Sequence, residues 1–260
     1  MKRIALLAGC LLFVSCGGGG GGESADACSS IKINAGESCN AGEPSVAYLT
    51  LNRSDGFFAC TGTYISQTAV LTAAHCLGAR TNSIVVESLG YTRHARNFYP
   101  HPQYNGVPED GSDLAIVLVS EPIQAAPVSL LVSAGPPGVG EDLVAYGYGN
   151  DENGRGAIGR IANGEAPLKA TFLAFAASLV GGRFYQTAST EEGNVCEGDS
   201  GGPILAKNAN GEYGIIAVTS YGKVHPCAPI AKGSLAVVSP IQNNSAMNFI
   251  LNHAPDASLN

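Results

Sequence analysis

A chain of 260 residues that is 45% hydrophobic and 13% charged can bury one large core or two smaller ones side by side, which excludes a disordered chain. Its formal charge of −7 excludes the clustered basic surface that nucleic-acid binding needs. Its 34 glycines and scarcity of long helix-period stretches favour an all-β body of many short strands.

The N-terminus reads as a targeting segment. Lys2 and Arg3 precede an apolar run from Ile4 to Val14 that is too short to span a bilayer. Phe13-Val14-Ser15-Cys16 then resembles a bacterial lipobox, whose cysteine is lipidated and becomes the new N-terminus. Leu7-Ala8-Gly9-Cys10 fits the same pattern but leaves too short an apolar region before it. Cys16 is therefore the expected lipid anchor, with a signal peptide over 1–16 and a linker and propeptide over 17–32. The glycine run 17–22 suits a flexible spacer between a membrane and a folded domain. Secretion after ordinary cleavage is the alternative, and both routes lead outside the cytoplasm. Gly17 lacks the aspartate that would favour an inner membrane, so the outer membrane is preferred.

In that oxidising space the six cysteines beyond the leader, Cys28, Cys39, Cys60, Cys76, Cys196 and Cys227, read as disulfides. Spacing does not choose among their pairings. No CxxC pair and no His/Cys cluster at zinc spacing occurs, so no metal is expected.

Ser45 to Leu51 and Phe57 to Ile65 are β-type runs around the turn Arg53-Ser54-Asp55-Gly56, a hairpin signal. Val70 to Cys76 passes from a strand into a short helix-like turn that carries His75. Ser112 to Val119 places Asp113 at the mouth of an apolar strand buried on both faces. A carboxylate there either caps a turn or accepts the N–H of a histidine, fixing the tautomer that leaves the other ring nitrogen free as a base. Cys196-Glu197-Gly198-Asp199-Ser200-Gly201-Gly202-Pro203 follows. Its glycines allow a turn tight enough for successive amides to converge beside the Ser200 hydroxyl. Such a spot can hold an oxyanion, with the N–H groups of Gly198 and Ser200 as donors.

Thr72-Ala73-Ala74-His75-Cys76, the apolar run opening at Asp113 and Gly198-Asp199-Ser200-Gly201-Gly202-Pro203 resemble, in order and flanks, the chymotrypsin-like (trypsin-fold) serine peptidases. The resemblance extends from about Ile33 to about His253. It implies an all-β fold of two six-stranded antiparallel Greek-key barrels with a C-terminal helix, a peptidase domain over 33–254 and a tail over 255–260. It also implies that His75, Asp113 and Ser200 form a triad that hydrolyses peptide bonds through an acyl-enzyme without a cofactor. Ala145 to Gly149 is similar to the strand that opens the family's second barrel. Thr219-Ser220-Tyr221-Gly222 is similar to the family's Ser-Trp-Gly segment, in which the serine supports the triad aspartate. Pro240 to His253, with Ile241, Met247, Phe249, Ile250 and Leu251 spaced for one face, reads as the C-terminal helix. The resemblance pairs Cys60 with Cys76 and Cys196 with Cys227, leaving Cys28 and Cys39 for each other. Ile84 to Glu87, where relatives would bind calcium, offers one carboxylate.

By the same resemblance Asn194 lies at the base of a specificity pocket formed with Ser220, Gly222 and Gly233. With no carboxylate at that base, no strong preference for basic side chains is expected, and uncharged mid-sized to large ones suit it. Glu197 on the rim disfavours acidic ones. Ile33 to Cys39 is similar to the family's mature start, with Lys32 at the cut and the freed Ile33 ammonium pairing with Asp199. Asn34 and Ala35 depart from the family's Val-Gly at this point. The expected partners are a protein or peptide substrate and an activating protease, with attachment to a membrane through the lipid alone and a monomeric state. Two other readings use the same residues. One is a catalytically silent, protease-like surface-binding lipoprotein. The other is an esterase, which would normally show a G-x-S-x-G elbow with its histidine last in the chain.

Overall fold

The structure, a computed structural model, describes residues 45–78, 80–88, 91–108, 112–132, 136–150, 169–179, 183–189, 195–222, 233 and 235–260. Cys16, Cys28, Lys32, Ile33 and Cys39 lie outside the described residues, as do Asn194 and Cys227. The hairpin read between Ser45 and Ile65 forms β1 (Val46–Arg53) and β2 (Gly56–Tyr64), in register from Val46 opposite Thr63 to Arg53 opposite Gly56. β3 (Ala69–Thr72) leads into the short helix α1 (Ala74–Leu77), and β4 (Thr81–Ser88), β5 (Tyr91–Pro100) and β6 (Ala115–Val119) follow. These strands close into a barrel in the order β1-β2-β3-β6-β5-β4. β6 runs between β3 and β5 with Ala115, Ile116, Val117 and Val119 buried, which is why its sequence is an unbroken apolar run. Ile84 to Glu87 belong to β4.

A second set comprises β7 (Asp142–Gly147), β8 (Lys169–Leu179), β9 (Phe184–Ser189), β10 (Pro203–Lys207), β11 (Tyr213–Gly222) and β12 (Leu235–Pro240). It closes as β7-β8-β9-β12-β11-β10, the same antiparallel connection as the first. The chain thus has the two six-stranded barrels that the sequence leads one to expect. One apolar cluster fills the first barrel with Leu49, Leu51, Leu71 and Ile116 and continues between the barrels through Tyr148, Leu205 and Val218. Leu143, Leu173, Phe175, Ile216 and Val238 fill the second.

The C-terminal helix α2 spans Asn244–His253, starting later than the sequence reading placed it. Pro240 ends β12, and the Ile241 N–H still bonds Ile216 O at 2.9 Å, so the sheet holds the chain until Asn243. The Asn243 side chain then accepts the Ala246 N–H at 2.9 Å as an N-cap. Although the helix leaves the second barrel, it packs on the first: His253 lies 4.4 Å from the Tyr99 ring and Phe249 lies 4.8 Å from the His101 ring. Residues 255–260 are bonded to the body, with the Ser258 N–H on Ile65 O at 2.8 Å and the Leu130 N–H on Ser258 O at 2.8 Å. Among the described residues no helix is long and apolar enough to cross a membrane.

Candidate active site

After β3 the chain turns into α1, and this turn presents His75 at the rim of the first barrel. The backbone N–H of His75 donates to Asp113 Oδ1 at 2.8 Å, and its Nδ1 lies 2.7 Å from Asp113 Oδ2. Ser220, on β11 of the second barrel, donates its hydroxyl to the same Oδ2 at 2.6 Å. Asp113 is fully buried. Burial pushes its carboxyl up, but the His75 ring bond and charge, the Ser220 hydroxyl and the His75 backbone N–H outweigh it and hold the group below its ordinary value. A carboxylate only accepts, so Nδ1 carries the ring proton and Nε2 keeps its lone pair.

The second barrel supplies Ser200 from the turn before β10. Gly198 has φ +96°, which side-chain-bearing residues rarely adopt, so the turn needs glycine there. A methyl group on Gly201 would lie 2.2 Å from Thr61 O, so a side chain there would push the turn away from the first barrel. The peptide planes of the turn are fixed through their carbonyls. Glu197 O accepts the Asn150 N–H at 2.8 Å, and Asp199 O accepts the Gly202 N–H at 2.9 Å. In a trans peptide the N–H points opposite its own carbonyl, so these bonds aim the N–H groups of Gly198 and Ser200 the other way. Neither has an acceptor among the described residues. The buried Asp199 carboxylate accepts the N–H groups of Cys196 and Gly149, each at 2.7 Å, and so anchors the turn from below.

Ser200 Oγ donates to Ser220 O at 3.2 Å. Its hydrogen bond to His75 Nε2 is not made in this conformation. The two residues nonetheless flank the same sulfur: Cys76 Sγ lies 3.8 Å from His75 Nε2 and 3.7 Å from Ser200 O. Cys76 is joined to Cys60 by a disulfide with Cα atoms 6.3 Å apart, the pairing that the family resemblance implies. Cys196 is also disulfide-bonded.

Of the pocket residues, Ser220 directs its side chain at Asp113. Gly222 ends β11, where a methyl group would lie 3.0 Å from Val195 O, and the Gly233 N–H bonds Ser189 O at 2.9 Å beside β9. One residue in contact with the serine turn carries no motif: Thr61, marked in the sequence only by its place beside Cys60. Tyr148, within the run Ala145 to Gly149, donates its phenol to Val46 O at 3.2 Å and its ring meets Tyr48 edge-on at 5.9 Å, joining the barrels. Burial, reinforced by the charge of Glu87, pushes the Tyr48 phenol up to about 12.

The trypsin family model matches residues 33–247. A trypsin of Saccharopolyspora erythraea is 29% identical over 186 residues, 65% of this chain and 78% of that protein. A venom plasminogen activator of Agkistrodon piscivorus leucostoma is 30% identical over 216 residues, 76% of this chain and 80% of that protein. The solved structure of HL collagenase shares the fold, with a TM-score of 0.63 at 19% identity over 82% of this chain and 94% of that one.

Proposed function

Because the chain belongs to the trypsin family of serine peptidases, we propose that it is an active serine endopeptidase whose triad is His75, Asp113 and Ser200. One observation carries the reading: Asp113 holds His75 by both ring and backbone, beside a serine turn whose two amides have no acceptor among the described residues. Ser200 turns about its Cα–Cβ bond from Ser220 O toward His75 Nε2. As Oγ bonds to the scissile carbonyl carbon, its proton passes to Nε2 and the carbonyl oxygen gains the negative charge. The N–H groups of Gly198 and Ser200 stabilise that charge, and Asp113 stabilises the imidazolium. Collapse breaks the C–N bond, and the leaving amine takes the proton from Nε2. Water then attacks the acyl-enzyme by the same route.

Substrates are proteins or peptides, and the neutral Asn194 argues against a strong preference for Arg or Lys. Cleavage after Lys32 by an activating protease frees the Ile33 ammonium for Asp199, and Cys16 carries the lipid anchor. Labelling with a fluorophosphonate probe tests the core of the proposal. The wild type should label and digest casein, and Ser200→Ala should do neither. The contact of Ser200 Oγ with Ser220 O favours a silent binding protein as the second reading. A wild type that fails to label under activating conditions would establish that reading instead.

A further inference from the structure

The geometry points to Thr61 as a positioning residue that sets the oxyanion donors from the opposite barrel; this rests on the reading of Ser200 as the nucleophile. Thr61 lies on β2 of the first barrel, fully buried, next to the disulfide-bonded Cys60. It uses both ends on the serine turn. Its backbone N–H donates to Ser200 O at 2.8 Å, and its hydroxyl donates to Gly198 O at 2.8 Å. The same hydroxyl accepts the Tyr148 N–H at 3.0 Å, and its own carbonyl accepts the Thr72 hydroxyl at 2.7 Å.

Gly198 supplies one oxyanion N–H and sits at φ +96°, with no side chain to wedge it in place. A peptide unit at glycine turns freely unless its carbonyls are held. Glu197 O is held by Asn150 from within the second barrel, and Gly198 O is held by the Thr61 hydroxyl from the first. Thr72, whose hydroxyl donates to the Thr61 carbonyl, ends the strand that leads to His75. Thr61 therefore fixes the donor turn in the frame that also carries the base. An oxyanion donor works only when it is aimed in advance at the place where charge develops, so this bond acts on the transition state. It does not touch the substrate.

The test compares Thr61→Val, which keeps the shape and removes the hydroxyl, with Thr61→Ser, which keeps the hydroxyl. Each is made in the full-length chain, activated as the wild type is, and assayed on a peptide ester and a peptide amide with Tm measured alongside. Thr61→Val should lower kcat by about 10- to 100-fold, part of the loss expected for a whole donor, with KM within about twofold. Thr61→Ser should return kcat to within about threefold of the wild type on the same scale. If Thr61→Val does not fold, Thr61→Ala, whose smaller side chain leaves room for a water, carries the same comparison. Unchanged kcat in the folded valine or alanine variant overturns the inference. So does a loss confined to KM or Tm, and so does a serine variant no better than valine. A wild type that neither labels nor hydrolyses removes the parent reading; an active wild type with an indifferent Thr61 removes only this one.

Discussion

Replacing Asp113 with asparagine tests the arrangement most directly, because the hydrogen bonds dictate which way the new amide must face. Asp113 accepts three bonds: the His75 backbone N–H on Oδ1, and His75 Nδ1 and the Ser220 hydroxyl on Oδ2. An asparagine has one oxygen and one NH2. If the NH2 took the Oδ1 position it would face a backbone N–H that cannot turn, leaving buried donors opposed at a cost of about 1–3 kcal/mol. The NH2 therefore goes to the Oδ2 position, where the Ser220 hydroxyl can rotate to accept. There it donates to His75 Nδ1, which moves the ring proton to Nε2 and abolishes the base. The expected loss in kcat is about 10⁴-fold, or about 5 kcal/mol of barrier, with KM little changed. Steady-state kinetics on a peptide ester measure it, with Tm as the check on folding. A folded Asp113→Asn variant within tenfold of wild-type kcat would refute the reasoning.

The same carboxylate makes a prediction about acid. Its folded pKa lies below its unfolded one, so its contribution to stability is complete above about pH 4 and is lost as pH falls through the lower folded value. The Tm gap between wild type and Asp113→Asn should therefore close as pH drops below about 4, and a gap that stays constant would contradict the assignment. Cys60 and Cys76 are 16 positions apart, so replacing both with alanine should cost about 3 kcal/mol by loop closure. Calorimetry should register this as a Tm lowered by about 6–12 °C, and a shift under about 2 °C would deny the bridge a stabilising role. Lys32→Gln should abolish activity if the chain is made as a zymogen, and full activity in that variant would exclude a required cut at this bond.

The candidate site residues are legible because they sit in short runs whose local form follows from composition. Thr72 to Cys76 had to leave a strand for a tight turn, and Gly198 to Pro203 had to bend sharply around Ser200. The meeting of these runs was not legible from periodicity. His75 and Asp113 are 38 positions apart, and Asp113 and Ser220 are 107 apart, so only the family resemblance brought them together in advance. Thr61 is not legible in the sequence, because its hydroxyl reaches Gly198 across 137 positions and a lone threonine in a strand pattern announces only β structure. The start of α2 differs from its sequence pattern for a related reason. Ile241 has the right spacing for the helical face, but its N–H is already committed to Ile216 in the sheet, and the N-cap at Asn243 decides the boundary.

The division of the site between the barrels explains why so much of the structure clamps one to the other. The first barrel holds the His75 imidazole and the Asp113 carboxylate, and the second holds the Ser200 hydroxyl and the N–H groups of Gly198 and Ser200 proposed as oxyanion donors. A displacement of about 1 Å between such groups can cost about 100-fold in rate, so the two frames cannot drift independently. Ser220 reaches from the second barrel to Asp113, and Thr61 reaches from the first to Gly198, so each barrel orients part of the other's chemistry. Tyr148 and the C-terminal helix cross the same boundary farther out. Loosening the outer contacts should lower stability first, because they lie away from the reacting atoms. Loosening Ser220 or Thr61 should lower kcat in a protein that still melts cooperatively.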